Sequence, residues 1–163
     1  MKVSFYVLTE NKAQDFLGFI CQLTQTALNK SNQSLLILAE DETLIGELDK
    51  ALWAQDDTSF IPHQRLLYSN TEGADMDVAN TNTDINNQLL APVLLASYMP
   101  TDFKGIVLNT TIRPVNDFIN ATSNTLPTRI LELIKPDTVS TEAGRAKYKH
   151  YQQLGYELTH FKV

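Results

Sequence analysis

The stretch that decides the fold is SLLILAEDETLIGELDKALW, residues 34–53. Residues 34–39 form a continuous apolar run, which is typical of a strand buried on both faces of a parallel sheet. Asp41 follows, and aspartate is one of the residues that most often cap a helix. Apolar side chains then recur at helical spacing as far as Trp53, the only tryptophan of the chain. The stretch therefore predicts one strand and one helix of an α/β domain.

The same alternation of strand and helix continues on both sides of this stretch. Further strands are predicted at residues 3–8, 93–96, 106–108, 129–134 and 156–161. We expect helices from the cap Asn11 to Leu28, from Pro114 to Ile119, and over residues 140–154, where Gly155 ends the last helix. Strand–helix–strand units of this kind join parallel strands by right-handed crossovers. The sequence thus predicts one three-layer, Rossmann-like α/β domain over residues 1–163, with a mainly parallel central sheet flanked by helices.

One segment breaks the pattern. Residues 69–87 read SNTEGADMDVANTNTDINN, which is rich in Asn and Thr and holds almost no large hydrophobic side chain. Such a composition cannot bury enough apolar surface to order itself. We interpret the segment as a polar, mobile surface loop inserted into the domain.

Composition restricts the classes of partner. The chain has 163 residues, with 13 basic and 19 acidic side chains and a net charge of −6. Direct binding to nucleic acid needs a cationic face, so the net charge argues against it.

The single cysteine, Cys21, excludes an internal disulfide, and its apolar neighbours indicate a buried, reduced thiol. The N-terminus is too short and interrupted for a signal peptide, and no run is long enough to span a membrane, so we expect a cytoplasmic protein.

Motifs of catalysis are missing from the sequence. The first strand–helix turn, residues 9–12 (TENK), has no glycine that would let the backbone approach a pyrophosphate, and no P-loop occurs. The acids at 40–42 fit the start of a helix. His63, His150 and His160 do not have the spacing of metal ligands. We therefore predict no catalytic residue, no metal and no cofactor, and we favour an interaction module. The alternative is a nucleotide-binding α/β enzyme of unknown substrate.

A combination of short motifs is specific where each motif alone is weak. The motifs are FY at 5–6, EDE at 40–42, LDKALW at 48–53, SFIPH at 59–63, and R-x-x-Y-x-x-Y-x-x-x-G at 145–155. Their order and spacing resemble those of the chi subunit family of bacterial DNA polymerase III. The polar loop departs from the pattern of that family. The resemblance implies a non-catalytic adaptor in the clamp-loader assembly.

The resemblance also implies two binding surfaces. One would hold the psi subunit of the clamp loader, and in the family it involves the positions that match Trp53, Phe60 and Pro62 here. A helicase that competes with psi would use the same surface. The less favoured alternative is that Trp53 closes the core below its helix, and both roles are compatible if different faces of the ring are used.

The second surface would hold the acidic C-terminal tail of single-stranded-DNA-binding protein. Arg145 and Tyr148 match the family, and Lys149, in the same basic segment, is a further candidate. A basic, partly apolar groove suits a tail that ends in a free carboxylate. The family can carry a lysine where this chain has Thr141, so Lys135 is a candidate to replace that charge. The alternative for Arg145 is an ordinary solvated side chain.

Helical geometry refines this second surface. At about 100° per residue, one side of the last helix is expected to face the sheet; its residues are Ala143, Gly144, Tyr151 and Leu154. Tyr148 then lies at the edge of that side, and Arg145 lies one step beyond it. Lys147, Lys149 and His150 make this the most basic segment of the chain.

Overall fold

The computed structural model describes residues 1–30, 33–54, 62–66, 92–100, 103–122 and 126–163. These residues form one seven-stranded sheet in the order β3-β4-β2-β5-β6-β1-β7, and the paired strands are parallel throughout. In chain order the strands are β1 (Lys2–Val7), β2 (Leu35–Leu38), β3 (His63–Arg65), β4 (Val93–Ala96), β5 (Ile106–Asn109), β6 (Arg129–Ile134) and β7 (Glu157–Lys162).

Helices cover both faces of the sheet. They are α1 (Glu10–Gln14), α2 (Phe16–Lys30), α3 (Glu42–Trp53), α4 (Val115–Thr122) and α5 (Thr138–Gln153). Apolar residues of α2 and α3 form one buried cluster with alternate strand residues, and α4 and α5 form a second cluster on the opposite side. We call these sides the α2 face and the α5 face. The predicted three-layer α/β fold is confirmed.

The first helical region differs from the prediction. Thr9, and not Asn11, caps α1, because its hydroxyl accepts a hydrogen bond from the Lys12 amide at 3.4 Å. Asp15 separates α1 from α2, and its carboxylate accepts a hydrogen bond from the Gly18 amide. Each side chain satisfies an amide that a helix start leaves unpaired, so two short capping residues divide one predicted helix into two.

Strand β3 was not predicted. It has three residues, HQR, and among the described residues it pairs with β4 and with no other strand. Because it lies at the edge of the sheet, it does not need the continuous apolar run that marks the central strands. Leu66 extends the pairing by one further bond, from its amide to the Leu95 carbonyl at 2.8 Å.

Three other expectations concern the loop, the thiol and the membrane. The polar loop expected at 69–87 lies outside the described residues. Cys21 is a buried, free cysteine, as expected, and burial raises the pKa of its thiol. Within the described part of the chain, no helix has the length and apolar character needed to cross a bilayer.

Candidate protein-docking surfaces

At one edge of the sheet, an exposed tryptophan lies against the edge strand. Trp53 is the last residue of α3 and is 62% exposed. Its ring meets the His63 ring of β3 edge-on, with the ring centres 5.3 Å apart. The buried core side chains of α3 are Ile45, Leu48 and Leu52, and the last of them directly precedes Trp53. The indole therefore lies on the surface and not beneath its helix.

A histidine–carboxylate pair holds this edge to α3. His63 Nε2 lies 2.9 Å from Asp49 Oδ1, and the His63 side chain is fully covered. Pro62 precedes His63 and is exposed, so it continues the surface along the chain. Phe60, the third residue predicted here, lies outside the described residues. We call Trp53 and Pro62, together with the covered His63 that contacts the indole, the β3-edge surface.

At the other edge, a tyrosine of α5 joins the helix to the sheet. The Tyr148 ring lies 5.6 Å from the ring of Phe5 in β1 and stacks on the ring of His160 in β7 at 5.0 Å. These two contacts fix the half-buried Tyr148 at the seam between α5 and β7. Its position matches the prediction that it lies at the edge of the sheet-facing side of the helix.

Two cations flank that tyrosine on the same helix. Arg145 precedes Tyr148 by one turn, Lys149 follows it directly, and both are exposed. Residues three apart on a helix are surface neighbours, so Arg145 and Tyr148 lie side by side. We call Arg145, Tyr148, Lys149 and His160 the β7-edge surface.

Lys135 does not lie with the β7-edge surface. Its Nζ sits 4.2 Å from the centre of the Phe16 ring, at the start of α2, and Phe16 packs on the α2 face. Tyr148 packs on the α5 face. The structure thus brings Arg145, Tyr148 and Lys149 together, while the Lys135 ammonium lies over a ring on the opposite side of the sheet. Lys135 still acts on the start of α5, since it helps the Ser140 amide to lower the pKa of Asp137.

Lys147 does not belong to the basic surface, where the sequence placed it. It is 2% exposed, and its Nζ donates to Glu132 Oε1 at 2.7 Å and to the Thr111 carbonyl at 2.9 Å. Position 147 lies between Gly144 and Tyr151 on the buried side of α5. The residue type suggested a surface cation, but the carboxylate of Glu132 provides a partner inside the domain.

The second oxygen of Glu132 completes a buried network. Oε2 accepts from the Tyr151 hydroxyl at 2.6 Å and from Asn109 Nδ2 at 2.9 Å. The Tyr151 oxygen in turn accepts from the Val115 amide at 2.9 Å. Burial raises the pKa of Glu132 against the opposing pull of Lys147, and burial with the Glu132 charge raises the pKa of Tyr151. The network ties β5, β6 and the start of α4 to α5, the helix that carries the β7-edge surface.

The end of α5 also differs from the prediction. Leu154 was expected to face the sheet, but it is the C-cap residue and is 46% exposed. Tyr151 is the last buried side chain of the helix. Sequence reasoning also missed Glu132, although one signal was present: it is the only acid of the strand RILELI, whose other residues after Arg129 are all apolar.

An ion pair bridges the carboxyl ends of β2 and β5. After these neighbouring strands, α3 turns to the α2 face and α4 turns to the α5 face. Open α/β sheets bind ligands at such a divergence. Here Arg113 donates to both oxygens of Glu40, at 3.0 and 3.3 Å, across it. The described residues contain no group of three or more side chains suited to a metal ion.

Two solved structures are similar in fold. One is S. cerevisiae Dbp5 bound to Nup159, Gle1, IP6 and ADP, with a TM-score of 0.55 and 14% identity, over 98% of this chain and 41% of that one. The other is T4 UvsW, with a TM-score of 0.56 and 7% identity, over 99% of this chain and 41% of that one. At these identities the likeness shows the α/β fold alone.

Sequence comparisons identify the family. The family model described as DNA polymerase III chi subunit, HolC, matches residues 1–159. DNA polymerase III subunit chi of Pseudomonas aeruginosa is 27% identical over 158 residues, which is 96% of this chain and 93% of that protein. The subunit chi of Escherichia coli is 34% identical over 79 residues, which is 47% of this chain and 54% of that protein. The chain belongs to the chi subunit family of DNA polymerase III.

Proposed function

We propose that the chain is a non-catalytic adaptor of the DNA polymerase III holoenzyme. It would link the clamp loader, through psi, to the C-terminal tail of single-stranded-DNA-binding protein. Family membership makes it an accessory subunit of DNA replication. The observation that supports bridging is the placement of the two surfaces at opposite ends of the strand order. Six strand spacings separate these ends, or about 29 Å, which leaves room for two partners at once.

Psi is the proposed partner of the β3-edge surface. An exposed tryptophan provides a large apolar anchor, and its contact with His63 limits its movement before binding. Pro62 and Phe60 would extend the anchor along the chain. A helicase that uses the same residues would compete with psi for this surface.

The tail of single-stranded-DNA-binding protein is the proposed partner of the β7-edge surface. Arg145 would hold the terminal carboxylate through two parallel hydrogen bonds, and Tyr148 would pack on the last hydrophobic side chain. Lys149 would attract the acidic residues that precede the terminus. Lys135 is the less direct candidate, because its ammonium lies over the Phe16 ring.

The alternative of a nucleotide-binding enzyme has less support. A nucleotide would be expected where the strand ends of β2 and β5 diverge. In this chain the Glu40–Arg113 pair spans that place, and Glu40, Asp41 and Glu42 make the adjoining helix start acidic. Phosphate groups would meet negative charge there.

Crossed substitutions test the adaptor proposal. Arg145→Ala should weaken binding of an acidic tail peptide by about 2–5 kcal/mol, because a carboxylate loses its bidentate partner, and should leave psi binding unchanged. Trp53→Ala or Phe60→Ala should weaken psi binding by about 2 kcal/mol or more and spare the peptide. Isothermal titration calorimetry measures both affinities.

Two controls accompany these titrations. Val139→Ala removes an apolar side chain that is 65% exposed and lies in neither surface, so it should leave both affinities unchanged. A peptide with an amidated terminus should bind the native protein poorly. Full psi binding by both Trp53→Ala and Phe60→Ala, or equal affinity for amidated and free peptides, would contradict the assigned surfaces.

A further inference from the structure

The acidic and the basic side chains of strand β7 lie on opposite faces of the sheet. The Phe161 ring stacks on Tyr6 at 5.2 Å, and Tyr6 meets Phe19 of α2, so Phe161 lies on the α2 face. Side chains alternate along a strand, so Glu157 lies on that face too. The one acid of β7 therefore points away from α5.

The opposite side chains of β7 face α5. Leu158 packs in the α5-face cluster, and His160 stacks on Tyr148. By the same alternation, Lys162 lies on the α5 face beside His160. The edge of the sheet under α5 therefore carries an imidazole and an ammonium group and no carboxylate side chain from β7.

The register places these two side chains level with the two tail-binding residues of α5. Phe5 pairs with His160, and the Phe5 ring also contacts Tyr148. Tyr148 and His160 therefore lie at the same level, meaning the same position along the strand direction. Two residues further on, Val7 pairs with both Ile134 and Lys162.

The helix crosses that second level at Gly144. A Cβ added to Gly144 would come within 2.6 Å of the Ile134 side chain, so the α5 backbone lies directly over Ile134. Arg145 is the next residue of α5. Arg145 and Lys162 are therefore level with each other, as Tyr148 and His160 are.

The side of α5 above β7 adds no negative charge. Thr141 and Gln152 lie on the same stripe of the helix as Tyr148, seven residues before it and four after it. The acid Glu142 is exposed and lies outside this stripe, on the solvent side of Arg145, which it neighbours at three residues' distance. A groove between α5 and β7 therefore has cations on both walls and aromatic rings between them.

We infer that β7 forms the second wall of the acidic-tail site, with Lys162, and not Lys135, as the cation that offsets the neutral Thr141. The inference rests on the proposed tail-binding function. Arg145 binds the terminal carboxylate, the Tyr148–His160 stack forms the apolar floor, and Lys162 attracts an acidic side chain near the end of the tail. The ligand is an acidic peptide with a hydrophobic last residue and a free terminus.

Two matched charge removals test this inference on the full chain. Lys162→Gln and Lys135→Gln each remove one positive charge, and the probe is an acidic peptide that ends in a free carboxylate. At low salt, Lys162→Gln should weaken binding about threefold to fivefold, the range of an exposed ion pair. Lys135→Gln should change it less than about twofold, and added salt should shrink the Lys162 effect. His160→Ala should weaken binding at all salt concentrations.

The outcomes separate the inference from the proposed function. If the native protein does not bind the peptide, the tail-binding function itself is wrong. If the native protein binds and Arg145→Ala abolishes binding, but Lys162→Gln and His160→Ala bind normally, only the β7 wall is overturned. A larger loss in Lys135→Gln than in Lys162→Gln overturns it as well. Circular dichroism of each variant establishes that the fold is retained.

Discussion

At the β3 edge, Trp53 lies exposed on a helix whose Glu42 forms an exposed ion pair with Arg65. At the β7 edge, Tyr148 lies on a helix that a buried ion pair holds from below. The β3-edge surface offers an apolar anchor, whose burial is not directional. The β7-edge surface offers a guanidinium, which reads a carboxylate only in a defined geometry. A contact that depends on geometry needs a fixed side chain, so the charged surface depends more on rigid support than the apolar anchor does.

The ion pairs at the two edges differ in how much they contribute to the stability of the fold. Arg65 and Glu42, near β3, lie 3.3 Å apart with side chains 38% and 70% exposed. Exposed pairs of this kind contribute about 0–1 kcal/mol. Lys147 and Glu132 lie 2.7 Å apart and are almost fully buried. Loss of one partner there leaves a charge without compensation in the protein interior, which costs far more.

Lys147→Met should have the largest effect and would remove the support of the β7 edge. We expect the free energy of unfolding to fall by about 3–5 kcal/mol, because the Glu132 carboxylate stays buried without its cation. Urea denaturation measures the loss. Lys149→Met is the matched control on the same helix; it is exposed, and its stability should change by less than about 0.5 kcal/mol.

A double variant tests whether the unpaired Glu132 charge causes the loss of stability. Lys147→Met combined with Glu132→Leu removes both buried charges, and it should recover part of the lost stability. Recovery stays partial because Asn109 and Tyr151 lose their shared acceptor. A Lys147→Met protein as stable as the native one would show that the network does not support α5.

One glycine in each of the two helices shows how closely that helix packs against the rest of the domain. Gly46 lies in α3, and an added Cβ would meet no atom within 4 Å. Gly46→Ala should therefore raise the free energy of unfolding by about 0.5–1 kcal/mol through helix propensity. Gly144→Ala should bring no such gain, because its Cβ would overlap the Ile134 side chain. Equal stabilisation by both, in chemical denaturation, would contradict the tighter seating of α5.

The smallest expected effect concerns pH and the N-cap of α5. The hydrogen bond from the Ser140 amide lowers the pKa of Asp137 below its ordinary value of 3.8, and Lys135 adds to this. The carboxylate of Asp137 therefore contributes stability at a pH above 3.8, and this contribution is lost as the pH falls through the lower folded-state pKa. Asp137→Asn should melt slightly below the native protein near pH 6 and match it in strong acid. A gap between the melting temperatures that persists in strong acid would contradict this cause.

The sequence predicted the central strands and the three layers because buried parallel strands are continuous apolar runs, as in LLIL of β2. It missed β3, since an edge strand of three polar residues has no such signal. It predicted the place of Tyr148 at the edge of the sheet-facing side of α5, and the structure confirms that place. The tail-binding roles of Arg145 and Tyr148 rest on residue type and on the resemblance to the family, and they stay predictions. The sequence missed the role of Lys147, because helix periodicity places 147 on the buried side while lysine usually lies at the surface. Only the tertiary structure brings Glu132 to it.

Whether the chain binds two partners at once is tested by the affinity of one acidic tail peptide for the free protein and for its complex with psi. If the two surfaces lie at opposite edges and act independently, the two dissociation constants should agree within about twofold, because the coupling free energy is near zero. A ternary complex should then form at saturating psi. Displacement of the peptide by psi would contradict two separate binding surfaces, since it would place both partners on one surface.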